Sequence, residues 1–344
     1  MKQKLFITFI LCVWIPVAYA AGIPHLLPWP QQVDWNKQTF SGKEIALLAE
    51  GNTEQMVTAW LQENNIGINP TSKHKLQIKL VKELPEAKLN ANEAYKLQVS
   101  SQGITIEATT EQGVYWAIQT LRQLTEKKGN RAHITGCRIT DWPAFRIRGF
   151  MQDVGRSYIS LEELKREIAI LSRYKINVFH WHLTENQSWR LESKVFPMIN
   201  DSINTTRMPG KYYTLKEAKE LVSFCKQHQV MLIPELDMPG HSAAFERTFR
   251  HNMQSPEGMK ILKLLIEEVC ETFDTPYLHI GTDEVEFTNS RFVPEMVAFV
   301  RSKGKKAISW NPGWHYQPGE IDMTHLWFSR IMFSSGCTRR SFQT

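Results

Sequence analysis

The feature that most constrains the fold is a regular alternation of short apolar segments and amphipathic helices beginning near residue 143. Strand-like segments lie at 146–154, 177–183, 230–235, 277–281 and 307–310. Such alternation produces a parallel sheet covered by helices. Because the chain has no phosphate-cradling glycine loop, we expect a (β/α)8 barrel rather than a doubly wound sheet.

Helix starts support this interpretation. Capping boxes lie at 160–163 and 214–217, and Ser255-Pro256 begins a further helix. The count gives five clear strand–helix units and a sixth strand near 325–327, where a complete barrel has eight. Residues 334–344 have neither strand nor helix periodicity. The sequence therefore predicts an α/β barrel that is truncated after five or six strands, or whose end departs from the preceding pattern.

The segment before the barrel has the pattern of a smaller α/β domain. Alternating residues predict strands at 76–81, 95–99 and 104–108, and apolar residues at helical spacing predict a helix at 114–124. The resulting division is a signal peptide at 1–20, an N-terminal α/β domain at 21–142 and the barrel at 143–344.

The first twenty residues have the features of a secretory signal. Lys2 and Lys4 precede an apolar run at 5–17, and Ala18-Tyr19-Ala20 forms a small-x-small cleavage site. A membrane anchor is the less favoured alternative, since the run is short and contains Pro16. We expect an exported chain, periplasmic or secreted, with no membrane span after cleavage.

The charge and the cysteine content limit which classes of ligand and partner the chain can bind. The formal charge of +6 becomes +4 when Lys2 and Lys4 are subtracted, and no basic cluster is interleaved with aromatic residues. We therefore expect no nucleic-acid binding. The cysteines that remain once the signal peptide and its Cys12 are removed are far apart and lack metal-ligand spacing. We therefore expect buried thiols, although an oxidising compartment permits a disulfide. They are Cys137, Cys225, Cys270 and Cys337.

Ionisable residues collect where four successive strands end, which is where the active sites of barrel enzymes lie. The fourth strand runs into Gly281 and then delivers two adjacent carboxylates, Asp283 and Glu284. The residues contributed by the three earlier strands are Arg148, Asp153, His180, His182, Glu185, Glu235, Asp237 and His241. Their convergence predicts an active site at this rim.

Several of these residues also have structural interpretations. Histidines two apart on a strand, such as His180 and His182, are more often hydrogen-bonded supports than ligands. Glu235 and Asp237 flank a turn that they could simply fix. Four tryptophans fit either the core or the wall of a sugar pocket: Trp181, Trp189, Trp310 and Trp327.

Four ordered motifs resemble those of glycoside hydrolase family 20, the β-N-acetylhexosaminidases. They lie at 148–153, 179–185, 234–241 and 279–284. Segments 27–30 and 119–124 resemble parts of that family's N-terminal domain. The resemblance implies an exo-acting, retaining hydrolase that removes terminal N-acetylglucosamine or N-acetylgalactosamine from an oligosaccharide or glycoconjugate, without metal or cofactor.

The resemblance also implies roles for individual residues. In substrate-assisted hydrolysis the 2-acetamido oxygen attacks the anomeric carbon and an oxazolinium forms. Glu284 would be the general acid and base, and Asp283 would orient the acetamido group and stabilise its positive charge. The other implied site residues are Arg148 on the sugar hydroxyls, Glu185 and His241 beside the acid, Trp310 and Trp327 as pocket walls, and His182, His279 and Asp153 as supports.

The chain also departs from the family pattern. Thr282 stands where glycine is frequent, and the family's later tyrosine and acidic residue that contact the sugar are not found. An alternative is therefore an inactive truncated remnant or a sugar-binding protein. A third reading is a metal-dependent barrel hydrolase that uses His180, His182 and His241.

Overall fold

The structure is a computed structural model that describes residues 24–49 and 51–327. The predicted signal peptide, Cys337 and residues 334–344 lie outside the described residues. Cys137, Cys225 and Cys270 are free thiols, and the first two are buried. Within the described ranges no helix combines the length and the apolar character needed to cross a membrane.

The N-terminal domain is a mixed sheet with two helices, α1 (Gly51–Glu63) and α2 (Glu111–Leu124). The expected strands and helix near 76–81, 95–99, 104–108 and 114–124 are present. The strands are β1 (Gln32–Phe40), β2 (Glu44–Leu48), β3 (Gly67–Ile68), β4 (Lys75–Leu80), β5 (Tyr95–Ser100), β6 (Gly103–Ala108), β7 (Thr125–Lys128) and β8 (Arg131–Asp141). Their order in the sheet is β1-β8-β5-β6-β4-β2-β3, with β7 paired to β8.

The core of this domain lies between the sheet and the two helices. Alternate residues of β5 and β6 point into it, and Trp60 and Trp116 pack there fully buried. The two helices thus cover one face of the sheet, as the amphipathic spacing of α2 predicts.

The second part is a curved sheet of six parallel strands, which lie in the sheet in the same order as in the chain. Sequential parallel strands joined by helices are the geometry of a (β/α) barrel, here a half-barrel, so the fold prediction is confirmed. The strands are β9 (Gly149–Asp153), β10 (Val178–His182), β11 (Met231–Met238), β12 (Tyr277–Gly281), β13 (Lys306–Asn311) and β14 (Met323–Leu326).

Helices cover the outer face of this sheet. Both predicted capping boxes are formed, with Ser160 accepting from Glu163 N and Thr214 accepting from Glu217 N. Ser255 caps the helix that Pro256 begins. The helices are α3 (Leu161–Arg173), α4 (Leu215–Gln227), α5 (Ala243–Phe249), α6 (Pro256–Thr272) and α7 (Phe292–Ser302).

Strand alternation separates an apolar outer face from a polar inner face. Phe179 and Trp181 of β10 point outward into the core under the helices, where Trp189 also packs, so both of these tryptophans are core residues. His180 and His182 of the same strand point to the inner face. The barrel interior therefore holds titratable groups beside a small cluster of the branched apolar residues usual there, Val178, Ile233 and Ile308.

Arg148 lies between the two domains, and its predicted contact with sugar hydroxyls is wrong. It precedes β9, whose first residue, Gly149, pairs with Val178 at the amino ends of the strands. Its guanidinium donates to Glu93 Oε2 at 2.5 Å, and to the carbonyl of Phe145. The five-residue strand separates it from the rim by about 16 Å at 3.3 Å per residue.

A second buried ion pair joins the domains beside this one. Lys175 Nζ donates to Asp141 Oδ2 at 2.7 Å and to the hydroxyl of Tyr95 at 2.9 Å. Burial lowers the pKa of Lys175, and the charge of Asp141 opposes that shift. The N-terminal domain therefore holds the amino ends of the barrel strands and leaves their carboxyl ends free.

Candidate active site

The adjacent carboxylates Asp283 and Glu284 follow β12 at the carboxyl edge of the sheet, as predicted. Gly281 has φ +66° and an added Cβ would lie 1.8 Å from Asp237 Oδ1, so only glycine fits. Thr282 and Glu284 also have positive φ, 80° and 49°. A left-handed β-branched residue is strained, and such strain concentrates at functional sites. Here the left-handed backbone at these residues turns the two carboxylates in different directions.

Asp283 is buried and keeps one free acceptor. Its exposure is 7%, and its Oδ1 atom has no hydrogen-bond partner in the described part of the chain. Burial, together with the nearby charge of Glu235, raises the pKa of Asp283 to about 6. The group is thus an anion at neutral pH with an oxygen available to a bound N–H group.

Glu284 sits in a different environment. Its side chain is about half exposed, at 53%, and its Oε2 atom lies 3.1 Å from His241 Nε2. The other ring nitrogen, His241 Nδ1, lies 2.6 Å from Glu185 Oε1. The hydrogen bond to Glu185 raises the pKa of His241 to about 9. A carboxylate–imidazole–carboxylate relay therefore leads from the buried Glu185 to the accessible Glu284.

Arg156 is the arginine that the structure brings to this rim, although it was not among the residues predicted from the sequence. Its guanidinium lies 2.8 Å from Glu185 Oε1 and 2.5 Å from Asp153 Oδ2. Its side chain is 43% exposed, which leaves donors free for hydroxyl groups. The sequence feature that could have identified Arg156 is its position three residues after Asp153, just beyond the end of β9.

Glu235 lies at the centre of the barrel interior rather than in a solvent-facing turn. It is fully buried, and Oε2 lies 2.7 Å from both His180 Nε2 and His182 Nδ1. Oε1 accepts from Trp310 Nε1 at 2.7 Å and lies 3.1 Å from His279 Nδ1. His182 and His279 thus share a carboxylate that the sequence did not single out as their common partner, and their role as supports of the site stays a prediction.

The protonation states of Glu235 and its neighbouring histidines follow from their burial and their close contacts. Burial alone would raise the pKa of Glu235, but His279, His182 and His180 lower it well below its usual range. Burial opposes the charged form of His182, yet Glu235 raises its pKa to about 9. Burial lowers the pKa of His279 to about 4. The interior therefore contains an ionised glutamate facing one charged and one neutral imidazole.

Asp237 lies between the interior cluster and the rim. It is 1% exposed, and its backbone N–H donates to Thr184 Oγ1 at 2.9 Å. Burial and the charge of Glu235 hold its pKa well above the usual range. Asp237 thus lies where burial and the charge of Glu235 both disfavour its ionised form.

The two tryptophans predicted as pocket walls differ in exposure. Trp310 is 7% exposed and packs in the interior against His279 and His325, whereas Trp327 follows β14 and is 47% exposed. Their contact with a sugar stays a prediction. The three histidines of the metal-hydrolase alternative do not converge: His180, His182 and His241 fall into three separate groups of possible ligands.

Comparison with known families decides the affiliation of this chain. Residues 145–251 and 246–318 match the family described as glycosyl hydrolase family 20, catalytic domain. Residues 23–142 match glycosyl hydrolase family 20, domain 2. The chain belongs to glycosyl hydrolase family 20.

Relatives within family 20 extend beyond this chain. A beta-hexosaminidase of Vibrio furnissii is 27% identical across 95% of the chain and 63% of the relative. A beta-hexosaminidase of Porphyromonas gingivalis is 32% identical across 56% of the chain and 29% of the relative. The chain therefore spans less than two thirds of these curated proteins.

Solved family 20 structures have the same fold. An exo beta-N-acetylglucosaminidase of Vibrio harveyi, solved with N-acetylglucosamine, superposes with a TM-score of 0.75 at 25% identity. The alignment covers 88% of this chain and 57% of that one. A beta-N-acetylhexosaminidase of Bacteroides fragilis gives a TM-score of 0.73 at 25% identity, covering 86% and 68%.

Proposed function

We propose that the chain is a retaining exo-β-N-acetylhexosaminidase acting on terminal N-acetylglucosamine or N-acetylgalactosamine. The observation that carries this proposal is the contrast between two neighbouring carboxylates. Asp283 is buried with a free acceptor oxygen, and Glu284 is half exposed beside an imidazole. Substrate-assisted hydrolysis requires one group that orients an amide and another that moves a proton.

Asp283 would act on the acetamido group. Its free Oδ1 accepts the acetamido N–H, which turns the carbonyl oxygen toward the anomeric carbon. As that oxygen attacks, the amide becomes a positively charged oxazolinium, and the Asp283 anion stabilises it. Because the nucleophile is part of the bound sugar, the effective molarity can reach about 10⁵ M or more.

Glu284 would move the proton. Protonated Glu284 gives its proton to the leaving glycosidic oxygen, then removes one from the water that opens the oxazolinium. His241 holds the Glu284 carboxylate at 3.1 Å and is itself anchored by Glu185. Two displacements at the same carbon retain the anomeric configuration. The partner is thus an N-acetylhexosamine-terminated glycan, and no cofactor takes part in this scheme.

The proposal includes export. The signal-like segment at 1–20 supports a periplasmic or secreted location, where glycans and glycoconjugates are accessible. N-terminal sequencing of the mature chain after expression in its host tests this directly. A mature chain that still begins at Met1 would exclude signal cleavage.

A sugar-binding protein without turnover is the second candidate. It is favoured by the edges of the half-barrel, because β9 and β14 each pair with one strand only among the described residues. Phe150, Met151 and Leu326 on these strands are exposed by 37–46%. A binding protein needs Arg156 and Asp283 but does not need a proton donor.

Hydrolysis of an aryl N-acetylglucosaminide separates the two candidates. The purified chain should release nitrophenol, and Glu284→Gln should remove that activity while N-acetylglucosamine still binds. An aryl glucoside, which lacks the acetamido group, should not be hydrolysed. Turnover no greater than that of Glu284→Gln would reject the enzyme, and binding with no turnover would establish the second candidate. NMR of the first-formed anomer tests retention.

A further inference from the structure

The interior of the half-barrel contains a group of three histidines that the proposed reaction does not use. His180 of β10, His279 of β12 and His325 of β14 each offer a ring nitrogen, and these nitrogens lie within 4.8 Å of one another. They lie on the inner face of the sheet, near Glu235 and away from the exposed edge of Glu284. We propose that these three residues bind a divalent transition metal of the Zn²⁺ class.

Ring positions fit a single ion. The ring centroids are 4.5 Å apart for His180 and His279, 5.7 Å for His180 and His325, and 6.0 Å for His279 and His325. A point equidistant from these three centroids lies about 3.2 Å from each, which matches a metal–nitrogen bond of about 2.0–2.1 Å plus roughly 1.1 Å to the ring centre. His180 and His279 are stacked with 29° between their ring planes, so metal binding requires these rings to turn until the ligating nitrogens face that point.

An unsatisfied nitrogen supports the same conclusion. His279 is 1% exposed, and its Nε2 atom has no hydrogen-bond partner in residues 24–49 and 51–327. Buried ring nitrogens are nearly always hydrogen-bonded, so an unpartnered one requires an explanation. A metal bound at this nitrogen provides one.

Glu235 supplies the outer contacts that metal-bound histidines require. Such histidines usually donate the other ring N–H to a carboxylate, which fixes the tautomer. Glu235 oxygens lie 2.7 Å from His180 Nε2 and 3.1 Å from His279 Nδ1. When the metal binds, neutral His279 carries its proton on Nδ1 and donates it to Glu235. This hydrogen bond replaces the one that Nδ1 otherwise accepts from the Gly281 N–H.

Among the described residues, the site opens to solvent through a cavity. A cavity of about 430 Å³ is lined by all three histidines together with Phe150, Met151 and Leu326. His325 is exposed, whereas His180 and His279 are buried. Two ligands are thus buried, and the third stands at the entrance. Three imidazole ligands favour Zn²⁺, Co²⁺, Ni²⁺ or Cu²⁺ over Mg²⁺ and Ca²⁺, which prefer oxygen ligands.

Titration of the full chain with Zn²⁺ and Co²⁺ tests the site. We expect one equivalent of Zn²⁺ in competition with a chromophoric chelator, and visible absorption bands of imidazole-bound Co²⁺. His325→Gln changes an exposed residue, so the fold should persist. It should weaken binding by at least about 10- to 100-fold, the range seen when even an outer contact of a metal ligand is removed. His315→Gln is the matched control, since His315 is also exposed and belongs to no ligand group of the described chain.

A further variant tests whether the ion binds instead to a neighbouring group of possible ligands at the rim. Asp237, His241 and Asp283 form a separate group of possible ligands at the rim. Zn²⁺ binding that is lost in His241→Gln but unchanged in His325→Gln would place the ion at the rim and overturn the proposal. Equal binding by His325→Gln and His315→Gln, or no binding at micromolar Zn²⁺, would also overturn it.

Discussion

Replacing Arg148 with methionine is expected to destabilise the chain while leaving sugar binding intact. Arg148 joins the two domains through Glu93, whose carboxylate is 3% exposed. After the substitution, the donors that Glu93 keeps among the described residues are neutral, namely Trp116 Nε1 at 2.8 Å and Asn177 Nδ2 at 3.3 Å. Removing one member of a buried ion pair leaves an uncompensated charge and costs about 3–5 kcal/mol.

The compensating change follows from the same reasoning. Glu93→Gln in the Arg148→Met background removes the stranded charge but retains the hydrogen bonds of the side chain. We therefore expect the double variant to recover most of the loss. Unfolding in urea, followed by circular dichroism, gives the free energy of unfolding for both single variants and the double variant, and hence the coupling between the two residues.

Arg146→Met provides the matched control. Arg146 is exposed and lies two positions away on the same segment, so its replacement should change the free energy of unfolding by no more than about 0.5 kcal/mol. Calorimetric titration with N-acetylglucosamine should give similar affinities for both variants. An Arg148→Met chain that unfolds like Arg146→Met but binds the sugar much more weakly would refute this assignment and restore Arg148 to the sugar site.

Three further predictions concern the rim. Arg156→Met should raise KM for the aryl glycoside by about 10- to 100-fold, because a charge-assisted hydrogen bond contributes about 1.5–3 kcal/mol; an unchanged KM would exclude the contact. The kcat/KM profile should fall about tenfold per pH unit below pH 6, because burial raises the pKa of Asp283 to about 6 and only its anion orients the amide; a flat profile down to pH 4.5 would contradict this. His241 has a folded-state pKa raised from 6.5 to about 9, so its charge stabilises the chain fully below pH 6.5 and loses this effect as the pH rises through 9. The urea midpoints of wild type and His241→Gln should converge over that interval, and a constant difference would exclude the linkage.

Much of the rim could be predicted because the ends of parallel strands are visible in the sequence. The apolar run of β12 stops at Gly281, and the next ionisable residues are Asp283 and Glu284. Glu185 and His241 likewise follow buried strands and lie together in the structure, 2.6 Å apart. In a barrel, proximity to the strand end is enough to place a residue in the site.

Arg148 shows where this reasoning fails. The apolar character of 146–154 does not reveal which residue begins the strand, and the pairing of Gly149 with Val178 leaves Arg148 outside the sheet. In a strand of five residues, an error of a few residues in the predicted boundary places a side chain at the wrong end of the barrel. For the same reason Arg156, just beyond the strand end, was overlooked.

Glu235 could not be interpreted from its own segment. Its partners come from residues 53 and 75 positions away, His182 and Trp310. A Pro-Glu-Leu-Asp sequence has the composition of a turn, whereas the structure places it within β11. Only the tertiary arrangement, which determines the inward direction and the facing donors, distinguishes a loop residue from the centre of a buried network.

The long separations around Glu235 also bear on how the chain folds. Its hydrogen bonds join β10, β11 and β13, so they form only after the intervening helices have brought these strands together. The loop-closure entropy of such long separations must be overcome before these contacts form, so a topology that depends on them folds slowly. Loss of β10 or β13 would leave Glu235 without one of these partners, so the three strands are linked through one carboxylate.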